Sequence, residues 1–298
     1  MKTKTVLISG ADGFIALHLT KMLREHGYKI ITATRNKNGN IRMDFCNPHE
    51  VALLKISGID TMIHTVSPNE MLYKTDTYGA LAENSAGIHA ALDFCVNNNI
   101  KNFVYFSSFH VFGMQEGILT ESTSPSPNSN YGLSHYTAEQ TIQMFDRKKM
   151  VNGWIVRPSN LFGVPENLEK FKRWNLIPYA FCREAMKHKT ITLLTPGKQL
   201  RNFVGINDVC KNILWILEKR PEERIFHAYG NQTISVLQYA HLVQKVAFEI
   251  FNLPVHIIYP EGNDSETNFN FTSLYNDSYI KPSDDLKTFV SEMLREIT

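Results

Sequence analysis

Val6-Leu7-Ile8-Ser9-Gly10-Ala11-Asp12-Gly13-Phe14-Ile15-Ala16 is an apolar run that enters a glycine turn and leaves it with helical periodicity. The run before Gly10 reads as a buried strand, and Ile15, Leu19, Met22 and Leu23 lay one apolar stripe along the helix that follows. Glycine has no Cβ, so Gly10 and Gly13 let an anion approach the main chain at a helix N-terminus, where N–H groups without intrahelical partners favour negative charge. Ala16, one methyl larger than glycine, still permits close contact between helix and sheet. The stretch therefore reads as a cradle for the pyrophosphate of a dinucleotide, with Asp12, Phe14 and Ile15 beside the two glycines. Its spacing, Gly-x-x-Gly-x-x-Ala, differs from the commonest Gly-x-Gly-x-x-Gly fingerprint, and the context supplies the weight. Residues 28–33 give a second apolar strand directly after the helix.

After that strand an NAD-specific fold usually places an acid for the ribose 2′-hydroxyl, whereas this chain has Thr34-Arg35-Asn36. A guanidinium suits a 2′-phosphate, so Arg35, with Thr34 as a hydroxyl donor, points to NADP, with NAD as the alternative. Met43-Asp44-Phe45 ends a short strand, with Asp44 a candidate for the adenine amino group and Phe45 for packing beside the ring. Residues 48–57 read as a helix opened by Pro48, and 60–64 as a buried strand. That strand exits through Thr65-Val66-Ser67, where a parallel sheet places its ligand. A long helix over 75–97 carries Asn84 on its apolar face, where a buried amide must find partners.

Residues 101–108 form the fifth strand and 109–113 a loop. The polar, proline-rich stretch 121–130 reads as a surface loop that caps, through Asn130, a helix from Tyr131 to about 149. Tyr131 and His135 are four apart and share a face of that helix. A strand at 154–157 ends at Pro158-Ser159-Asn160, and beyond it the strand-helix alternation loosens. There the pattern gives a helix over 181–187, a hairpin of 191–194 with 201–204, helices near 207–218 and 235–250, a loop over 261–280 and a last helix over 283–297. The expected fold is α/β: a doubly wound parallel sheet of the Rossmann type over 1–160, and a smaller substrate-binding lobe over 161–298 with segments returning to the core sheet.

Composition narrows the partners. In 298 residues, 31 Lys and Arg against 29 Asp and Glu leave a formal charge of +2 with the signs interspersed, which gives no footprint for nucleic acid. No apolar run approaches membrane-spanning length, so a soluble, cytoplasmic protein with a small-molecule partner is expected. The cysteines at 46, 95, 182 and 210 form no Cys-x-x-Cys pair, and the 11 histidines no metal-ligand pattern, so no metal is expected.

In order and spacing these signals resemble the extended short-chain dehydrogenase/reductase family, of the epimerase/dehydratase type that modifies nucleotide sugars. The resemblance rests on residues 8–16, Asp44, Asn84, residues 106–108 through Gly113, Tyr131-Gly132-Leu133-Ser134 with Glu139, residues 157–160, and 201–204 with Asp208. It implies that Tyr131 is the general acid/base, and that Ser108 hydrogen-bonds the reacting oxygen. The family lysine four residues after the tyrosine is His135 here, a weaker cation at neutral pH and a shorter side chain. His110 falls where relatives carry an acid/base for a second proton transfer. Pro158 is implied at the cofactor, and Asn160, Asn175, Leu176 and Arg201 on the nucleotide sugar, the arginine at its diphosphate. The expected activity is NADP(H)-dependent reduction of a keto group on a nucleotide-activated sugar. The alternatives are a 4-epimerase or dehydratase with tightly bound NAD, and a cofactor-binding protein without turnover. A homodimer through the helices at 75–97 and 131–149 is also implied.

Overall fold

The computed structural model describes residues 4–36, 39–113, 116–262, 268–275, 277 and 280–298. The first half of the chain alternates strand and helix: β1 (Thr5–Ser9), α1 (Phe14–Glu25), β2 (Lys29–Thr34), β3 (Ile41–Arg42), α2 (Pro48–Leu53), β4 (Thr61–His64), α3 (Leu72–Thr75), α4 (Thr77–Asn97) and β5 (Asn102–Phe106). A 3₁₀ turn (Phe109–Phe112), β6 (Gly117–Leu119), α5 (Asn130–Arg147), β7 (Asn152–Pro158), β8 (Asn160–Phe162), α6 (Ile177–His188), β9 (Thr190–Thr192), β10 (Leu200–Gly205) and α7 (Ile206–Lys219) follow. The chain closes with β11 (Ile225–Ala228), β12 (Gln232–Ser235), α8 (Val236–Phe251), β13 (His256–Ile258), β14 (Phe269–Phe271) and α9 (Leu286–Ile297).

Two compact units divide the chain: residues 1–114, 123–158 and 210–227 form the first, and 115–122, 159–209 and 228–298 the second. In the first unit the strand order is β11-β7-β5-β4-β1-β2-β3. The pairs from β7 to β3 are all parallel. The order reverses beside β1, which is the arrangement of a doubly wound sheet with its ligand at the carboxyl ends of the strands. The strand sequences suit that burial, since Thr61, Met62, Ile63 and His64 are all inaccessible or nearly so. One contiguous apolar core runs from Leu7 and Met62 through Ile88, Leu92 and Phe94 of α4 to Ile142 and Phe145 of α5.

The second unit holds a sheet ordered β12-β10-β8, with β10 antiparallel to β12 and parallel to β8. β9 pairs in parallel with β13, and β6 in parallel with β14. The expected hairpin between 191–194 and 201–204 does not form. Alternating apolar residues identify both strands, but each finds its partner elsewhere: Ile191 pairs with Ile257, and Arg201 with Ile234. Three smaller differences concern ends. α2 stops at Leu53, the strand before Asp44 stops at Arg42, and the cap of α5 is Ser129, whose hydroxyl accepts from the Gly132 amide at 3.1 Å.

Candidate functional site

The glycine turn at the end of β1 has the shape a dinucleotide needs. Gly10 sits at φ +73°, and a Cβ there would lie 2.7 Å from Thr65 Oγ1 and 3.0 Å from Val66 Cγ2. A side chain would therefore be strained and would push into the exit of β4. Gly13 is the N-cap of α1 and offers no side-chain cap, and the first turn of that helix holds no acid, so its N-terminal end suits an anion. Thr65 secures the turn from the other side by donating to the Ser9 carbonyl at 2.7 Å. These residues fit the pyrophosphate of a nicotinamide dinucleotide.

The end of β2 is wired differently from the expectation for Thr34. Its hydroxyl donates to Asp12 Oδ2 at 2.7 Å, and Asn36 Nδ2 donates to the same oxygen at 2.9 Å. Asp12, in the glycine turn, thus brings an acid to the end of β2, while Arg35 is exposed beside it. Asp44 accepts from the Cys46 amide at 3.2 Å and from Asn47 Nδ2 at 3.4 Å, which ties its carboxylate into a local turn. Phe45 is buried in the core, edge-on to His64 with centroids 4.8 Å apart, because β3 ends before it and the turn sends its ring inward.

Beyond β4 the buried polar groups link into a network. Asn84 Nδ2 donates to the Ser134 carbonyl at 3.2 Å, and the Ser134 hydroxyl meets Tyr73 Oη at 2.6 Å, so α3, α4 and α5 are cross-braced. Tyr131, in the first turn of α5, lies among rings. Its centroid is 4.6 Å from His135, 5.6 Å from His110 and 5.9 Å from Tyr73. Gly132 makes the approach to His110 possible, since a Cβ there would stand 2.3 Å from the His110 carbonyl oxygen. Ser108 is buried, and its hydroxyl accepts from the His110 amide at 3.3 Å, capping the 3₁₀ turn. Tyr131, His135, His110 and Ser108 are thereby held in one neighbourhood of the first unit. Burial raises the Tyr73 phenol above its ordinary value.

His135 is itself almost inaccessible, and both ring nitrogens have protein neighbours. Nδ1 is 2.8 Å from Tyr105 Oη and Nε2 is 3.5 Å from Ser67 Oγ. Tyr105 went unmarked in the sequence because it sits mid-strand in an apolar run, and only the register of β5 against α5 shows what its hydroxyl faces. His64 was likewise missed. It is fully buried at the end of β4, Nδ1 lies 2.9 Å from Ser9 Oγ, and burial lowers its pKa to about 3. Next to Ser108, the Ser107 hydroxyl donates to Glu139 Oε1 at 2.5 Å. Arg157 forks onto the same carboxylate, Nε to Oε1 at 2.8 Å and Nη2 to Oε2 at 2.6 Å. Pro158 is buried at the end of β7.

The residues expected on the substrate lie in the second unit. Arg201, on β10, is largely buried, and its Nη1 donates to the Leu200 carbonyl at 2.9 Å; burial lowers its pKa. Asn160 Nδ2 donates to the Asn202 carbonyl at 2.9 Å, so that amide braces β8 against β10. Leu176 is the N-cap position of α6, and Asn175 before it is exposed. Among the described residues, no group of three or more His, Cys, Asp or Glu side chains could hold a metal ion, and no helix is long and apolar enough to cross a membrane.

Residues 6–229 match the model of the NAD dependent epimerase/dehydratase family. The chain belongs to that family. It is therefore built as an enzyme of the extended short-chain dehydrogenase/reductase type, and the family's members modify nucleotide sugars. Among curated relatives, the GDP-6-deoxy-D-talose 4-dehydrogenase of Aggregatibacter actinomycetemcomitans is 25% identical over 87% of this chain and 85% of its own. The human dTDP-D-glucose 4,6-dehydratase is 27% identical over 82% of this chain and 74% of its own. Two solved structures share the fold with a TM-score of 0.80 each. They are MoeE5 in complex with UDP-glucuronic acid and NAD, 21% identical with 98% of this chain and 99% of that chain covered, and RMD from Pseudomonas aeruginosa complexed with NADPH, 18% identical with 99% and 97% covered.

Proposed function

We propose that this family member is an NADP(H)-dependent reductase of a keto group on a nucleotide-activated sugar. The observation that carries the reading is the end of β2, where Arg35 is exposed next to the turn and offers a guanidinium for a 2′-phosphate. A reductase consumes exchangeable cofactor, and a relative named as a 4-dehydrogenase and a neighbour holding NADPH are consistent with that use. Gly10, Gly13 and the start of α1 hold the pyrophosphate, with Phe14 and Ile15 in the same turn. Thr65, Val66, Ser67 and Pro158 would serve the nicotinamide end and Asp44 the adenine side, whereas the Phe45 ring is turned into the core against His64.

When bound, the nicotinamide would supply the hydride that adds to the carbonyl carbon. Ser108 hydrogen-bonds the carbonyl oxygen, and Tyr131 Oη gives it a proton, so the ketone becomes an alcohol. His135 packs against Tyr131 and supports it, His110 stands ready for a second proton, and Asn160, Asn175, Leu176 and Arg201 serve the nucleotide sugar. The active form is a homodimer through α4 and α5.

Asp12 favours a second reading, a 4-epimerase or dehydratase with retained NAD, because its carboxylate stands at the end of β2 where it would repel a 2′-phosphate. Purified protein separates the two. The reductase binds NADPH at least tenfold more tightly than NADH, loses that preference in Arg35→Asp, and passes gel filtration free of cofactor. NAD retained through gel filtration, with no NADPH preference, overturns the reductase.

A further inference from the structure

Three separate segments hold the groups proposed for proton transfer: Tyr131 on α5, Ser108 just past the end of β5, and His110 in the 3₁₀ turn. One buried ion pair reaches all three segments. Tyr131, His135 and Glu139 stand four residues apart on α5 and so share a face, and Glu139 is the fully buried end of that row. Its Oε1 accepts from the hydroxyl of Ser107, the residue before Ser108, at 2.5 Å and from Arg157 Nε at 2.8 Å, while Oε2 accepts from Arg157 Nη2 at 2.6 Å. Arg157 lies on β7 directly before Pro158, and its guanidinium sits 5.0 Å from the centre of the Phe112 ring, in the same 3₁₀ turn as His110.

The geometry leaves little freedom. A fork of two N–H donors onto one carboxylate fixes both the distance and the angle between Glu139 and Arg157. The Ser107 amide also donates to the Val156 carbonyl at 2.8 Å, so the end of β5 is held to β7 by backbone as well as by side chain. The 3₁₀ turn is held at its start by Ser108, whose hydroxyl accepts from the His110 amide at 3.3 Å, and at its end by Phe112 against the guanidinium. Across from the turn stands α5: the His110 and Tyr131 ring centroids are 5.6 Å apart, and Gly132 leaves no room for a Cβ against the His110 carbonyl. A shift of Glu139 would therefore displace Ser108 and His110 relative to Tyr131.

Stability alone does not account for the cluster. The two charges of a buried pair give up their hydration, and well-packed apolar side chains of similar volume are often as stable or more so. Arg157 adds a further cost, because its Nη1 is buried with no hydrogen-bond partner among the described residues. What apolar side chains would not supply is the fixed angle and the directional bond to Ser107.

We propose that Glu139, Arg157 and Ser107 form a positioning unit that sets the placement of Ser108 and His110 against Tyr131, and through it the rate of the chemical step. Its effect on turnover rests on the reductase reading, whereas the placement does not. The three residues act through Ser108, His110 and Tyr131 and touch no substrate themselves. Displacing reacting groups by about 1 Å lowers a rate by about a hundredfold. Cofactor affinity is spared, since the glycine turn that holds the pyrophosphate is built from other residues.

The test compares two variants with the wild type by urea unfolding, by steady-state reduction of a 4-keto nucleotide sugar with NADPH, and by ¹H–¹⁵N spectra of full-length protein labelled with ¹⁵N-histidine, each ring assigned by a His→Gln variant. Ser107→Ala breaks the link to β5 and keeps the ion pair. Glu139→Met with Arg157→Met removes the pair without leaving a lone buried charge. The expected kcat is lower by about tenfold or more in Ser107→Ala and by about a hundredfold in the double variant, with KM for NADPH within about twofold in both. The ring signals of His110 and His135 shift, while those of His241 on α8 and His256 on β13 stay in place. A role confined to stability predicts instead that kcat follows the folded fraction. A folded double variant with wild-type kcat and an unshifted His110 therefore overturns the proposal, as does wild-type kcat in Ser107→Ala, which decides alone should the double variant not fold. If the wild type reduces no keto sugar while the His110 and His135 signals move as stated, the reductase reading fails and the positioning assignment stands; if they do not move, the positioning assignment fails as well.

Discussion

Tyr131 and His64 are both side chains whose protonation matters, and their surroundings give them opposite tasks. Tyr131 is partly accessible among His135, His110 and Tyr73, and its removal as an acid takes away one proton transfer without disturbing the glycine turn. Tyr131→Phe is expected to lower turnover by about 10²–10⁴-fold, the usual range for a general acid. Its affinity for NADPH, read by fluorescence titration, stays within about twofold. His64 instead acts on stability. In the folded chain it stays neutral down to about pH 3, whereas an unfolded histidine takes up its proton near 6.5. The unfolded chain therefore binds the extra proton between those values. The contribution is complete above pH 6.5 and is lost as pH falls through that window, at up to about 1.4 kcal/mol per pH unit. Urea unfolding at pH 7.5 and 5.0 reads this out: the wild type loses more stability than His64→Gln, and equal losses would exclude the assignment.

At the level of elements, the pair Glu139–Arg157 ties α5 to β7 and, through Ser107, to the end of β5. Both side chains are buried, and Arg157 also lies 5.0 Å from the centre of the Phe112 ring. Removing one partner leaves the other charge in a low-dielectric interior, so Glu139→Gln is expected to cost about 3–5 kcal/mol, measured as a fall in melting temperature. The double replacement Glu139→Met with Arg157→Met recovers part of that loss, since it leaves no uncompensated charge. The elements themselves were largely legible in the sequence. β1, the glycine turn, α1 and β2 follow from local periodicity and from Gly10, whose φ of +73° favours glycine, and a Cβ at Gly10 or Gly13 would meet a neighbour at 3.0 Å or less. The partners of β9 and β10 were not legible, because Ile191 and Arg201 read as neighbouring strands but pair with Ile257 and Ile234 across long stretches of chain. The contact of Tyr105 with His135 was hidden for the same reason: 30 residues separate them, and register alone brings them together.

The molecule as a whole divides where no linker composition marks it. Residues 210–227 return to the first unit, where β11 joins the sheet beside β7, and residues 115–122 belong to the second, where Gly117 pairs with Phe269. Membership in a unit is decided by these distant pairings, which leave no local signal in composition. As a homodimer through α4 and α5, the protein is expected to sediment at twice the 34.1 kDa of the chain at micromolar concentration, and a concentration-independent monomer would remove that assembly. The most direct test of the function is isotopic. Purified protein is given NADPH deuterated at nicotinamide C4, a 4-keto nucleotide sugar and buffer in ordinary water. One deuterium on the new carbinol carbon per NADPH oxidised, abolished in Tyr131→Phe, is the expected result. An epimerised or dehydrated sugar formed without net oxidation of NADPH, and without label on the sugar, would contradict it.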